Sequence, residues 1–241
     1  MDPTNSVSRK REAEPEKQSN ETMKTYDAST LTPQYFALPE ATMYYIIKNV
    51  TNAAVYSKLI KSCKWFYLKH PIIVLKHCGH AQFLQILEKT NGTKKKMITW
   101  SDIKHKPKLW ITDSFVLHET VPLIKEMPIY ECDAKVVDIA NQTYQFFQFK
   151  ILVKCAETIT LRSVSVTNES NAFVSLDELI GACPLAKDFQ FCCNDAASAI
   201  KDGTVQKMLE LKQFQALKIF HISNAPERFC LHTFFQFMKV C

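Results

Sequence analysis

The residues with the most chemical potential lie at His77-Cys78-Gly79-His80, where three zinc-type ligands fall within four positions. Zinc is held by Cys and His, but a closed site needs a second ligand pair. None follows at a useful spacing unless Cys63 or His70 folds back. Cys192-Cys193 are adjacent, so on a strand their side chains point to opposite faces and do not ligate one ion together. No cysteine stands in the sequence context of a Cys–His nucleophile. Asp177-Glu178 fall on a helical first turn, where two carboxylates complement the dipole better than they serve acid–base work. With four glycines and no GxxxxGK or GxGxxG string, no phosphate cradle is expected either. The chemistry-bearing residues therefore predict a chain that is not an enzyme, with no metal and no cofactor.

Length and composition set the frame. The 241 residues are 46% hydrophobic, enough for a sizeable core. No apolar run approaches the ~20 residues of a membrane span, and the N-terminus is polar from Asp2 onward. A cytoplasmic, reducing setting is thus expected. There the nine cysteines stay reduced, and those among apolar residues (Cys63, Cys155, Cys183) act as small core side chains. The Asn-x-Ser/Thr triplets at Asn20, Asn49, Asn91, Asn141 and Asn168 are then chance matches. Arg9-Lys10-Arg11 offers a short basic signal compatible with nuclear entry.

The formal charge of +6 is unevenly distributed: eleven lysines lie between Lys61 and Lys108, against Glu88 and Asp102. Such a field suits nucleic acid, an anionic surface or an acidic protein, and it equally suits a solvated face. The stretch contains no arginine, which argues against bidentate phosphate or guanine readout.

Residues 1–30 are charged and poor in apolar side chains, the composition of a disordered tail. From Leu38-Pro39-Glu40 the pattern becomes helical. Pro39 suits a first turn, and Met43, Ile46, Ile47 and Val50 share one stripe. Asn52 is placed to cap a second helix whose expected buried face is Val55, Leu59, Ile60 and Cys63. Lys64-Trp65-Phe66-Tyr67-Leu68 supplies a third short helix that Pro71 ends. At ~1.5–3 kcal/mol per fully buried large side chain, a packet of this size needs a neighbour, from its own chain or from another.

Between residues 71 and 128, "PIIVLKH" and "KLWITDSFVL" read as strands, "HAQFLQILEK" as helix, Asn91-Gly92 as a turn and Lys94-Lys95-Lys96 as exposed. Over 129–241 short alternating runs end in asparagine: Val137-x-Ile139-x-Asn141, Val164-x-Val166-x-Asn168 and Phe220-x-Ile222-x-Asn224. A looser copy is Phe189-x-Phe191 with Asn194. Helical stripes follow at Leu176, Leu179, Ile180, Cys183, at Val205, Met208, Leu209, and at Leu231, Phe234, Phe235, Met238. Phe-Phe-Gln-Phe occurs in two of the units. The fold expected is mixed α/β: a small three-helix module over 36–70, a connecting α/β segment over 71–128, and a short, irregular leucine-rich-repeat-like solenoid over 129–241. An irregular α/β domain with fortuitous spacing is the other reading of the same pattern.

The opening helices resemble an F-box. Leu38-Pro39-Glu40 stands at the start, Ile46-Ile47 on the first helix, and Ser62-Cys63-Lys64-Trp65-Phe66 at the close. With the Trp-Ile-Thr-Asp strand and the degenerate repeats, the chain resembles the large nematode F-box-like families. Two departures are Thr51-Asn52 in place of the usual Asp-Pro, and Ser62-Cys63-Lys64 in place of Val-Ser-Lys. The resemblance implies a non-catalytic substrate receptor of a cullin-type ubiquitin ligase. Its helices would bind the Skp adaptor, which hangs from the cullin scaffold, and its repeats would hold a protein substrate. Leu38, Pro39, Ile46, Leu59 and Trp65 are the expected partner-binding anchors, or supports beneath them. An interaction scaffold without a ligase role, its packet an internal cap, and a nucleic-acid binder using the 61–108 lysines are the competing expectations.

Overall fold

The computed structural model describes residues 38–79, 83–86, 97–98, 107–118, 128–193 and 199–238, all within one compact unit, Tyr35–Cys241. The 1–30 tail, the Arg9–Arg11 triplet, His80, Asn91-Gly92, Lys94–Lys96 and Asn194 lie outside the described residues. The fold is mixed α/β with a mostly parallel sheet.

Three short helices come first: α1 (Glu40–Lys48), α2 (Ala53–Ser62) and α3 (Lys64–Lys69). Pro39 sits at the N-cap of α1 with φ −58° and ψ 146°, one residue before the helix, and its carbonyl receives the Thr42 and Met43 amides. Asn52 caps α2 as expected, its Oδ1 accepting from Ala54 N (2.9 Å) and Val55 N (3.1 Å). Cys63 ends α2 and begins α3, its Sγ accepting from Trp65 N at 3.3 Å.

The chain then enters the sheet through β1 (Ile72–Gly79), which pairs antiparallel with β2 (Phe83–Ile86), itself paired with β3 (Met97–Ile98). The stretch "HAQFLQILEK", expected as a helix, thus contains a strand. A run of four to six apolar positions has no period of its own, and pairing with β1 decides it. On its other edge β1 runs parallel to β4 (Lys108–Leu117), which carries Thr112 and Asp113 opposite the single Lys76. β5 (Ile129–Cys132) and β6 (Val136–Ala140) both pair with β4.

From β6 onward the strands stack parallel and in register through β8 (Thr158–Arg162), β10 (Asp188–Cys192) and β11 (Ile219–Ser223). Val137, Ile159, Phe189 and Phe220 form one row; Ile139, Leu161, Phe191 and Ile222 form the next. Both rows are buried except at β11, the edge strand, where Phe220 and Ile222 are half-buried.

Of the four expected runs, those at Val137–Ile139, Phe189–Phe191 and Phe220–Ile222 are strands of this stack, and the one at Val164–Val166 is not. Asn141 and Asn224 do leave their strands in the left-handed region, φ 55° each. The equivalent place after β8 belongs to Ser163 (φ 52°), not to Asn168. Val164 and Val166 instead flank and enter β9 (Ser165–Thr167), which pairs with β7 (Thr143–Gln145) in a separate two-stranded sheet. Asn168 organises a turn after β9, its Oδ1 accepting from Ser170 N, Ser170 Oγ and Ala172 N. After glycine, asparagine is the residue most at ease at positive φ, and Ser163 does the same work without that signature.

The helical stripes mostly hold. Phe149, Leu152 and Val153 of α4 (Phe146–Val153), Leu176, Leu179 and Ile180 of α5 (Leu176–Gly181), and Val205, Met208 and Leu209 of α6 (Thr204–Glu210) are buried. A four-residue turn, α7 (Lys212–Gln215), precedes β11. In α8 (Leu231–Met238) the expected stripe is only partly sealed: Phe234 is half-buried, while Leu231 and Phe235 are exposed. The shared Phe-Phe-Gln-Phe puts its second ring outside both times, at Phe147 and Phe235.

Packing joins the helices to the sheet. Met43, Ile47, Ala53, Tyr56, Cys63 and Phe66 form one buried cluster with Ile72, Val74 and Trp110. At its centre the Tyr56 hydroxyl donates to the His70 carbonyl and accepts from Ile72 N at 3.3 Å. Rings continue the seam: Tyr56–Trp110 centroids are 6.1 Å apart and Trp110–Tyr130 5.7 Å. Trp110 Nε1 donates to Asp133 Oδ2 at 2.6 Å.

Tyr56→Phe keeps the ring and strands two backbone groups, so urea unfolding should show a loss of about 1–3 kcal/mol. A loss below about 0.5 kcal/mol would mean the hydroxyl joins nothing that matters. At α5 the Glu178 carboxylate accepts from Ser175 N and Ser175 Oγ, both at 2.9 Å, a capping box that holds its carboxyl below the usual range. A depressed carboxyl stabilises the fold above the unfolded-chain value and ceases to do so as pH falls through the folded one. Glu178→Ala should cost about 1 kcal/mol at pH 7, with the gap to wild type narrowing toward pH 3; a pH-independent gap contradicts the charge-based account.

Candidate docking surface

The three opening helices are sealed on one face and open on the other. In α1, Met43 and Ile47 point inward one turn apart, Ile46 is half-buried beside them, and Tyr44 and Tyr45 turn outward, 45% and 70% exposed. In α2 the buried residues are Ala53 and Tyr56, with Cys63 just beyond. Val55, expected inside, is 49% exposed, and Leu59 and Ile60 are half-buried against the cluster's rim. The rotation follows from Tyr56: its hydroxyl has partners only at the helix–strand junction, so the ring goes in and Val55 goes out.

Of the five expected anchors, Leu38 (50%) and Pro39 are exposed at the start of α1. Ile46, Leu59 and Trp65 are half-buried and packed against the cluster, neither free nor fully enclosed. Trp65 stands edge-on to Tyr44 (5.0 Å, 76°) and to Phe66 (5.4 Å, 89°), linking the outer ring to the inner one. The five therefore divide into an exposed pair and three that pack on the cluster. Tyr44 and Tyr45 on α1 and Val55 on α2 are exposed as well. The two tyrosines sit off the α1 stripe, a position that sequence periodicity marks as exposed without distinguishing it from any other solvated face.

Between α1 and α3 lies a cleft of about 290 Å³ lined by Tyr44, Tyr45, Ile47, Lys48, Lys69 and His70. Lys69 Nζ lies 5.8 Å from the Tyr44 ring centroid and 3.8 Å from Glu40 Oε1. Burial, then the Lys108 charge, lower the His70 pKa, so its imidazole is neutral at pH 7.

The chemistry-bearing residues are placed elsewhere. His77 Nδ1 and Ser114 Oγ are 2.9 Å apart, while Cys78, next in β1, is buried with its thiol pushed up to about 12 by burial. Cys132 and Cys183 are likewise raised to about 12, the range of unreactive core thiols. Cys63, Cys78, Cys132, Cys155, Cys183, Cys192, Cys193 and Cys230 form no disulfide with one another. Among the described residues no three His, Cys, Asp or Glu side chains gather to hold a metal ion. Nor is any helix of the described residues long and apolar enough to cross a membrane. Of the lysine field, Lys76 pairs with Asp113 (3.3 Å) and Lys108 lies 5.9 Å from the Tyr130 ring. Lys89, Lys94, Lys95, Lys96, Lys104 and Lys106 lie outside the described residues.

The strand stack presents a second, polar surface. Asp138, Thr160, Gln190 and His221 lie in one row of alternate residues, facing away from the buried rows. Arg162 Nη2 holds both Asp138 oxygens at 2.6 and 2.7 Å, and His118 Nε2 approaches the same carboxylate at 3.0 Å.

No family model, no curated protein and no solved structure matches this chain.

Proposed function

We propose that this chain is a non-enzymatic, F-box-like substrate receptor of a cullin-type ubiquitin ligase. Its opening helices bind the Skp adaptor. The stacked strands, read as a short leucine-rich-repeat-like solenoid, hold a protein substrate on the face that carries Asp138, Thr160, Gln190 and His221. The observation that carries the reading is the one-sided packet. Its inner face is spent on Ile72, Val74 and Trp110, while Leu38, Tyr44, Tyr45 and Val55 stand in solvent. A packet serving only as an internal cap has no need of four large exposed apolar side chains.

Purified Skp adaptor should bind the full chain, and Leu38→Asp/Tyr45→Asp should weaken binding at least about tenfold, as loss of central apolar anchors does. Both positions are exposed, so the variant should keep the wild-type circular dichroism and melting transition. Equal, background-level adaptor recovery by wild type and variant would end the proposal.

A further inference from the structure

The helices that carry these exposed side chains are also strongly basic. From Leu38 to His70 the chain has five lysines, Lys48, Lys58, Lys61, Lys64 and Lys69, against one acid, Glu40. Two of them converge. Lys48 lies in the last turn of α1 and Lys69 in the last turn of α3, and both line the Tyr44–Tyr45 cleft. Lys69 has a loose contact with Glu40 at 3.8 Å, with both side chains largely in solvent. Among the described residues Lys48 has no ion-pair partner. His70, neutral in the wall of the cleft, adds no charge.

We infer that the Tyr44–Tyr45–Lys48–Lys69 cleft receives an acidic segment of a partner protein, with a carboxylate seated between the two ammonium groups and apolar side chains laid on the tyrosines. This rests on the adaptor-docking proposal and specifies the chemistry of the surface that meets it. A purely apolar partner would leave two cations facing a dehydrated interface, which costs more than the contact returns. A carboxylate removes that cost, and long-range attraction between unlike patches speeds encounter. The tyrosines suit a protein partner: amphipathic rings with few torsions to freeze, flanked by charge.

The experiment is a calorimetric titration of the full chain with purified Skp adaptor at 50 mM and 500 mM salt. Wild type is compared with Lys48→Glu/Lys69→Glu, Lys48→Gln/Lys69→Gln and Lys58→Glu. Double reversal should weaken binding about tenfold or more at 50 mM and by a smaller factor at 500 mM, since salt screens the approach of unlike patches more than it screens a seated pair. The Gln pair should give an intermediate loss, and Lys58→Glu, outside the cleft, less than about threefold at either salt. If the double reversal binds as wild type at both salts, the inference falls while adaptor docking stands. If wild type binds no adaptor, both fall. A 20-base-pair duplex DNA that displaces the adaptor, and loses affinity in the reversal variant, would overturn the inference in favour of a general polyanion surface. A wild-type dimer in sedimentation that the reversal dissociates would overturn it in favour of a second copy.

Discussion

The hydroxyl of Tyr56 lies between the carbonyl of His70 and the amide of Ile72, where the last helix of the packet gives way to the first strand. Backbone groups at such a junction, left unpaired, are expensive to bury. Satisfying them with one side chain fixes the rotation of α2. That rotation sends Ala53 and Cys63 inward with Tyr56, leaves Val55 in solvent, and sets Leu59 and Ile60 at the rim. The orientation of the outer face, and so everything attributed to it, depends on where this one phenol goes.

The same economy of paired backbone runs through the strand stack. Each strand's first amides bond to the residue preceding its neighbour: Glu157 and Thr158 to the Lys135 carbonyl, Lys187 and Asp188 to that of Glu157, Lys218 and Ile219 to that of Lys187. This brings Lys135, Glu157, Lys187 and Lys218 into one row at the strands' entry, where Glu157 pairs with Lys135 at 3.5 Å and with Lys187. One carboxylate between two ammonium groups supports register weakly, because these side chains are solvated. The buried rows behind it, from Val137 to Phe189 and from Ile139 to Phe191, support it strongly, since a slip of one residue would turn each of them outward.

What the sequence disclosed, and what it hid, follows from how far each signal reaches. The cap at Asn52 and the helical first turn at Asp177-Glu178 were legible because each is settled within four residues. Fully buried stripes such as Leu176, Leu179 and Ile180 were legible for the same reason. The strand at Phe83–Ile86 was not, since only its pairing with β1 separates it from a short helix. The left-handed turns were legible where asparagine marks them, at Asn141 and Asn224, and misplaced after β8, where Ser163 takes that conformation. In the packet, periodicity gave amphipathic helices but ranked Val55 above Tyr56, because apolar character says nothing of a hydroxyl with partners waiting. Lys48 and Lys69, 21 residues apart, become neighbours only once α1 and α3 pack.

The central claim is that the opening helices are closed on the Tyr56 side and open on the Tyr45 side. Hydroxyl-radical footprinting of the full chain, read residue by residue by mass spectrometry, tests it directly. The account predicts rapid modification of Tyr45, intermediate modification of Tyr44 and strong protection of Tyr56. Tyr56 modified as fast as Tyr45, or Tyr45 as protected as Tyr56, would contradict it.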